Sequence, residues 1–216
     1  MRRVDCMQML WLTLMSIGGS AVAILVDESV FELNRIKHWY QDNYWIWVTV
    51  ALVCVTIALI MTQLVSKEAE GSGIPQVRAI LSGVTLENML SWRTFLAKLI
   101  GITAMLLSGM STGKEGPFVH LVSCISNGLP YRAMKYNKSI RHQMIAAAIA
   151  VGVAATFGAP IGGVLFSIEL STNVYNIHNL WKALYSATIA VVIFKVFWMY
   201  QKVKLFDASG TQFFHG

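Results

Sequence analysis

Charged residues are scarce in this sequence. Only 13% of its 216 residues are Asp, Glu, Lys or Arg, whereas 56% are apolar. Soluble domains carry about 25% charged residues, so this composition argues against a water-facing globular surface. The net charge of +6 lies in short polar segments between apolar runs. We interpret these cations as cytoplasmic loop charges of a membrane protein, and not as a surface that binds nucleic acid.

Cysteine and clustered chemical groups are also rare. The three cysteines, Cys6, Cys54 and Cys124, are scattered along the chain, which excludes a disulfide framework and the ligand spacing of a metal site. No grouping of Ser, His and Asp indicates hydrolysis. The sequence therefore predicts neither an enzyme nor a protein that needs a metal or an organic cofactor.

Long apolar segments are abundant instead. A helix needs about 20 apolar residues to cross a membrane. The sequence predicts an all-α multi-pass membrane protein whose long helices lie near residues 7–26, 45–65, 94–110, 144–157 and 181–200.

Loop charges predict the orientation of these helices. The segment between the first two is net acidic, with Asp27, Glu28, Glu32 and Asp42, so we expect an external loop there and an internal N-terminus. The segment Pro130–His142 is basic and is expected to be a cytoplasmic loop.

Three breaks rich in Gly and Pro interrupt the apolar pattern. They lie at residues 71–75, 111–117 and 158–160. A short helix is predicted at each break: one of about eight residues to Leu81 with Pro75 in its first turn, one from Pro117 to about Ile125, and one from Ile161 to Leu170. Irregular backbone at membrane depth is tolerated where it is buried in protein or lines a cavity, so such breaks indicate a transport site.

The first two breaks have the chemistry of an anion site. The N-terminus of a helix presents unpaired N–H groups that attract anions. Ser72 adds a hydroxyl donor in the first break, and Glu115 places a carboxylate in the second. A carboxylate that competes with a permeating anion would act as a gate. Its protonation would release the gate, which predicts sensitivity to pH.

The breaks also carry a specific resemblance. Three segments resemble, in order and spacing, the signature segments of the CLC chloride channels and transporters. They are Gly-Ser-Gly-Ile-Pro at 71–75, Gly-Lys-Glu-Gly-Pro-Phe-Val-His at 113–120 and Gly-Ala-Pro-Ile-Gly-Gly-Val-Leu-Phe-Ser-Ile-Glu at 158–169. The resemblance implies one domain over residues 1–216, the first half of the CLC inverted-repeat fold with its tilted and broken helices.

The resemblance also implies a chloride site, formed by the residues of this chain that match the family's motifs. Chloride is expected to bind at Gly71, Ser72, Gly73 and Ile74 and at the backbone of Lys114 and Gly116, with Glu115 as the gate. The resemblance further implies a homodimer, in which residues 161–171 and 180–200 supply part of the interface.

The family contains passive channels and chloride/proton exchangers. Exchangers commonly carry a second acidic residue after the glutamate of the third motif, whereas here Glu169 is followed by Leu170. This pattern favours a voltage-gated channel of the plasma-membrane branch over an exchanger. A third hypothesis is a non-conducting subunit that associates with full-length partners, because the resemblance covers the first repeat alone.

Overall fold

The computed structural model of the chain describes residues 2–38, 43–86, 88–128, 138–171 and 177–210. Throughout these ranges the chain forms helices joined by short turns, and they contain no strand. The prediction of an all-α protein is therefore confirmed.

Eight α-helices make up the described part of the chain. Their bounds are Arg2–His38 (α1), Tyr44–Ile60 (α2), Ile74–Leu81 (α3), Trp92–Ser108 (α4), Glu115–Gly128 (α5), Lys138–Phe157 (α6), Pro160–Leu170 (α7) and Ile177–Gly210 (α8). A π-helical turn, Met61–Val65, extends α2, and a 3₁₀ turn, Lys67–Ala69, follows it.

Within the described ranges, four segments are long and apolar enough to cross a membrane. They are Met7–Glu32, Tyr44–Val65, Ser139–Phe157 and Asn179–Tyr200. These segments confirm four of the predicted long helices. The fifth, α4, begins at Trp92 and has 17 residues.

The described residues of two predicted loops are helical, which corrects the sequence analysis there. Helix α1 continues through Asp27, Glu28 and Glu32 to His38, because neither Gly nor Pro interrupts it there. Asp42 lies outside the described residues. At the other loop, α6 begins at Lys138, so Lys138 and Arg141 are helical. The preceding residues 129–137 lie outside the described part of the chain.

The short helices follow the predicted breaks, with one change of register. Helices α3 and α7 begin within one residue of the expected positions, at Ile74 and Pro160. Helix α5, however, begins at Glu115 and not at Pro117. Proline is tolerated in the first turn, where its missing N–H would have no partner in the helix. Glu115 therefore belongs to the helix that it opens.

Helix α6 forms the centre of the fold and packs against α1, α5, α7 and α8. Its buried face is rich in alanine, which lets neighbouring backbones approach closely, as in membrane helix pairs. Two glycines show how close these contacts are, because a Cβ atom added to either one would clash with a neighbouring backbone. At Gly152 the added Cβ would lie 2.8 Å from Cα of Val119 in α5, and at Gly163 of α7 it would lie 2.4 Å from the carbonyl oxygen of Ala150. These contacts fix α5 and α7, and with them two of the three breaks, against one central helix.

Candidate functional site

The first motif forms a tight turn that ends in the N-terminus of α3. Gly71 and Gly73 have φ of +69° and +81°, a left-handed conformation that favours glycine. Gly73 is the N-cap residue, and Pro75 lies in the first turn. The hydroxyl oxygen of Ser72 is 3.4 Å from the amide nitrogen of Ile74. The side chain of Ser72 is exposed, so its hydroxyl is accessible to a ligand.

The second motif opens α5. The amide of Phe118 donates to the carbonyl oxygen of Lys114 at 3.1 Å, which closes the first turn. Gly116 and Pro117 are buried, whereas Lys114 and Glu115 are half-buried. The carboxylate of Glu115 lies close to its own loop. A Cβ atom added at Gly113 would be 2.8 Å from Oε2 of Glu115.

The two motifs are in direct contact. A Cβ at Gly116 would lie 2.6 Å from Cβ of Ser72 and 3.4 Å from Cδ1 of Ile74. A Cβ at Gly73 would lie 2.6 Å from Nδ1 of His120, which is fully buried in α5. The sequence-predicted residues of the first two motifs therefore lie together, with the N-termini of α3 and α5 side by side.

The third motif packs elsewhere. Gly163 approaches α6, and Ser167 donates a buried hydrogen bond of 2.7 Å to the carbonyl oxygen of Ala146. Glu169 is exposed at the end of α7, whereas Leu170 is only 8% exposed and belongs to an apolar core cluster. The side chain that follows Glu169 is thus a packing residue in this fold.

An ion pair that the sequence analysis missed holds the second motif. Nζ of Lys114 lies 2.8 Å from Oδ1 and 3.0 Å from Oδ2 of Asp27. Asp27 is helical in α1 and not in a loop, and this position brings its carboxylate beside the motif. The contact neutralises the charge next to Glu115. No pattern within the sequence joins these two residues, since they are distant along the chain.

A buried lysine behind the first motif was also missed. Nζ of Lys98 in α4 donates to the carbonyl oxygens of Ala69, at 3.2 Å, and of Gly71, at 3.0 Å. A lone cation in an apolar membrane segment is a functional candidate, and that signal was available in the sequence.

A cavity of about 490 Å³ joins these features. Its polar lining residues come from both motif loops, from α4 and from the π-helical turn after α2, namely Thr62, Gln63, Glu70, Ser72, Lys98 and Thr112. Apolar side chains, mainly of α2 and α4, form the remaining walls. The buried hydroxyl oxygen of Thr112 has no hydrogen-bond partner among the described residues. The arrangement offers hydroxyl and amide donors, with a cation nearby, to a small anion.

Comparison with known proteins identifies relatives of the chain. The sequence model of the family described as "Voltage gated chloride channel" matches residues 54–214. Chloride channel protein 2 of Rattus norvegicus is 43% identical over 200 residues, which cover 87% of this chain and 22% of the relative. Chloride channel protein clh-3 of Caenorhabditis elegans is 40% identical over 177 residues, or 79% of this chain and 18% of that protein.

A solved structure shares the fold. The crystal structure of a eukaryotic CLC transporter matches with a TM-score of 0.78 and 31% sequence identity, over 88% of this chain and 38% of that one. The chain thus spans about a fifth of the length of the curated relatives quoted above, 22% and 18% of them respectively.

Proposed function

Because the chain belongs to the voltage-gated chloride channel family, we propose that it forms one wall of a chloride pathway and carries the gate of that pathway, Glu115. The observation that carries the proposal is the contact between the two motifs. Ser72 lies against Gly116, so the N-termini of α3 and α5 present their amides at one place. Helix N-termini bind anions without a full positive charge, which suits an ion that must also leave.

The proposed chloride ligands are the first motif, Gly71 to Ile74, together with the Lys114 and Gly116 amides. Glu115 competes with chloride for the amides of the second motif. Its half-buried carboxylate lies over the Gly113 loop, within reach of that site. Protonation removes the negative charge that competes with the anion, so the pathway opens as the pH falls.

A passive channel is proposed over an exchanger. Leu170 occupies the position where exchangers of the family commonly carry a second acidic residue. It is packed in an apolar cluster, and a carboxylate there would be buried at considerable cost. The relatives named chloride channel protein 2 favour the same branch. A plasma-membrane location is part of this proposal.

Homodimerisation through α7 and α8 completes the proposal. Both helices leave large apolar side chains exposed, as an interface within a bilayer requires. These side chains are Ile161, Leu165, Trp181 and Val192. Lipid is the other environment that suits this surface, and the protein is proposed to be a multi-pass component of the bilayer.

Chloride efflux from liposomes tests the pathway. The longest natural polypeptide containing this sequence is reconstituted as wild type and as Ser72→Ala, and proton movement is recorded at the same time. We expect chloride efflux that Ser72→Ala lowers several-fold, without coupled proton movement. Efflux equal to that of empty liposomes would refute the chloride pathway, and protons moving in fixed ratio with chloride would favour the exchanger. The 216-residue chain alone, in the same assay, tests the non-conducting subunit, which measurable efflux would exclude.

A further inference from the structure

Lys98 has an unusual environment for a charged side chain. It lies in the apolar helix α4 and is only 4% exposed. An ammonium group removed from water is costly unless it is fully hydrogen-bonded, so such a residue is retained for a structural or functional reason.

The partners of Lys98 belong to the turn that precedes the anion site. Its Nζ donates to the carbonyl oxygens of Ala69, at 3.2 Å, and Gly71, at 3.0 Å. Among the described residues, no carboxylate lies within salt-bridge distance of this group. The hydrogen bonds of the ammonium therefore go to two carbonyl groups of the turn, on either side of Glu70, and not to a carboxylate.

These hydrogen bonds also orient the donor that follows them. In a trans peptide the C=O and N–H bonds point in opposite directions within one plane. The carbonyl of Gly71 points at Lys98, so the N–H of Ser72, in the same peptide unit, points away from it. Without Lys98 this peptide unit is free to rotate about the flexible Gly71, whose φ is +69°.

We infer that Lys98 is a positioning residue for the anion site, which orients the Ser72 amide and supplies a fixed positive charge behind it. The inference rests on the proposed chloride pathway. Lys98, Gly71 and Ser72 line the same cavity, so the charge acts on an anion there through a protein interior that screens it poorly. The neutral hydroxyl and amides of the first motif thereby attract an anion more strongly than they would alone.

Four variants separate charge, hydrogen bonding and folding. Lys98→Met removes both the charge and the donors, Lys98→Gln keeps a neutral donor, and Lys98→Arg keeps the charge. Lys67→Met is the matched control, because Lys67 is an exposed lysine of the adjoining 3₁₀ turn. Chloride affinity is measured by calorimetry on the folded, monodisperse fraction of the longest natural polypeptide in nanodiscs.

We expect Lys98→Met to weaken chloride binding about tenfold, the size of effect that one hydrogen-bonded charged group supplies. Lys98→Gln should weaken it to a similar or smaller extent, and Lys98→Arg and Lys67→Met should bind within about threefold of wild type. Should Lys98→Met fail to fold, the chloride affinities of Lys98→Gln and Lys98→Arg are compared instead. Weaker binding by Lys98→Gln supports the inference, and equal binding overturns it. A purely structural role would lower thermal stability in these variants and leave the chloride affinity of the folded fraction unchanged, which would overturn the inference.

Ser72→Ala separates this inference from the proposed function. If Ser72→Ala weakens chloride binding and neither Lys98→Met nor Lys98→Gln does, the proposed positioning role of Lys98 is refuted. The proposed chloride pathway is then retained. If the wild-type polypeptide does not bind chloride, the proposed function is refuted, and the positioning role of Lys98 is refuted with it.

Discussion

Ser72 and Gly116 lie against each other so closely that a single Cβ at Gly116 would come within 2.6 Å of Cβ of Ser72. The contact joins two helix N-termini that α4 separates along the chain. The first and second motifs therefore form one structural unit, so a substitution in either motif displaces residues of the other.

Gly116→Ala is therefore expected to impair chloride binding. The new methyl group must displace Ser72, whose Cα is also only 3.4 Å away, and the N-termini of α3 and α5 separate. We expect at least a tenfold loss of chloride affinity, measured by calorimetry. Gly128→Ala is the matched control on the same helix, because no atom of the described residues lies within 4 Å of its added methyl group. Equal affinities in the two variants would contradict the contact.

Asp27→Asn tests the electrostatic setting of the gate. The neutral asparagine side chain no longer balances the positive charge of Lys114. That unbalanced charge, on the residue that precedes Glu115, favours the ionised, blocking form of the Glu115 carboxylate. More acid is then needed to open the pathway, so the pH at half-maximal chloride flux falls by about half a unit, as expected for a partly exposed pair. Glu32→Gln, a change at an exposed residue of the same helix, is the control. A rise of the midpoint, or no change, would count against this role of Asp27.

Two neighbouring glycines of α7 test the packing against α6. A Cβ at Gly163 would lie 2.4 Å from the backbone oxygen of Ala150, whereas one at Gly162 would make an ordinary contact of 3.6 Å. Gly163→Ala is expected to destabilise the protein by about 1–3 kcal/mol, as overpacking does. Gly162→Ala should be neutral or stabilising by up to about 1 kcal/mol, because alanine favours helix. Thermal unfolding in detergent measures both, and similar melting temperatures would contradict the close packing.

Local features of the fold could be predicted from the sequence. Glycines with left-handed backbone and prolines in first turns determine the geometry of only a few residues, so the breaks at Gly73 and Pro160 could be located before the structure. The starts of α3 and α7 followed within a residue. Helix ends without Gly or Pro could not be placed, and the predicted acidic loop is helical up to His38, in the last turns of α1.

Long-range contacts could not be predicted. The Asp27–Lys114 pair and the hydrogen bonds of Lys98 join distant parts of the chain, and their positions depend on how α1, α4 and α5 pack. Periodicity identifies the face of a helix and not its neighbour. The roles of Ser72, Glu115 and Leu170 stay predictions that rest on chemistry and on family resemblance.

The pH dependence of chloride flux in Glu115→Gln tests the central claim most directly. Glutamine resembles the protonated gate in shape and charge, so it cannot compete with the anion as a carboxylate does. Flux through the longest natural polypeptide is measured between pH 5 and pH 8, with Glu32→Gln as the control at an exposed carboxylate. The account predicts that flux rises on acidification in wild type and in Glu32→Gln, and that it is high and independent of pH in Glu115→Gln. A Glu115→Gln protein whose flux keeps the wild-type dependence on pH would contradict the account.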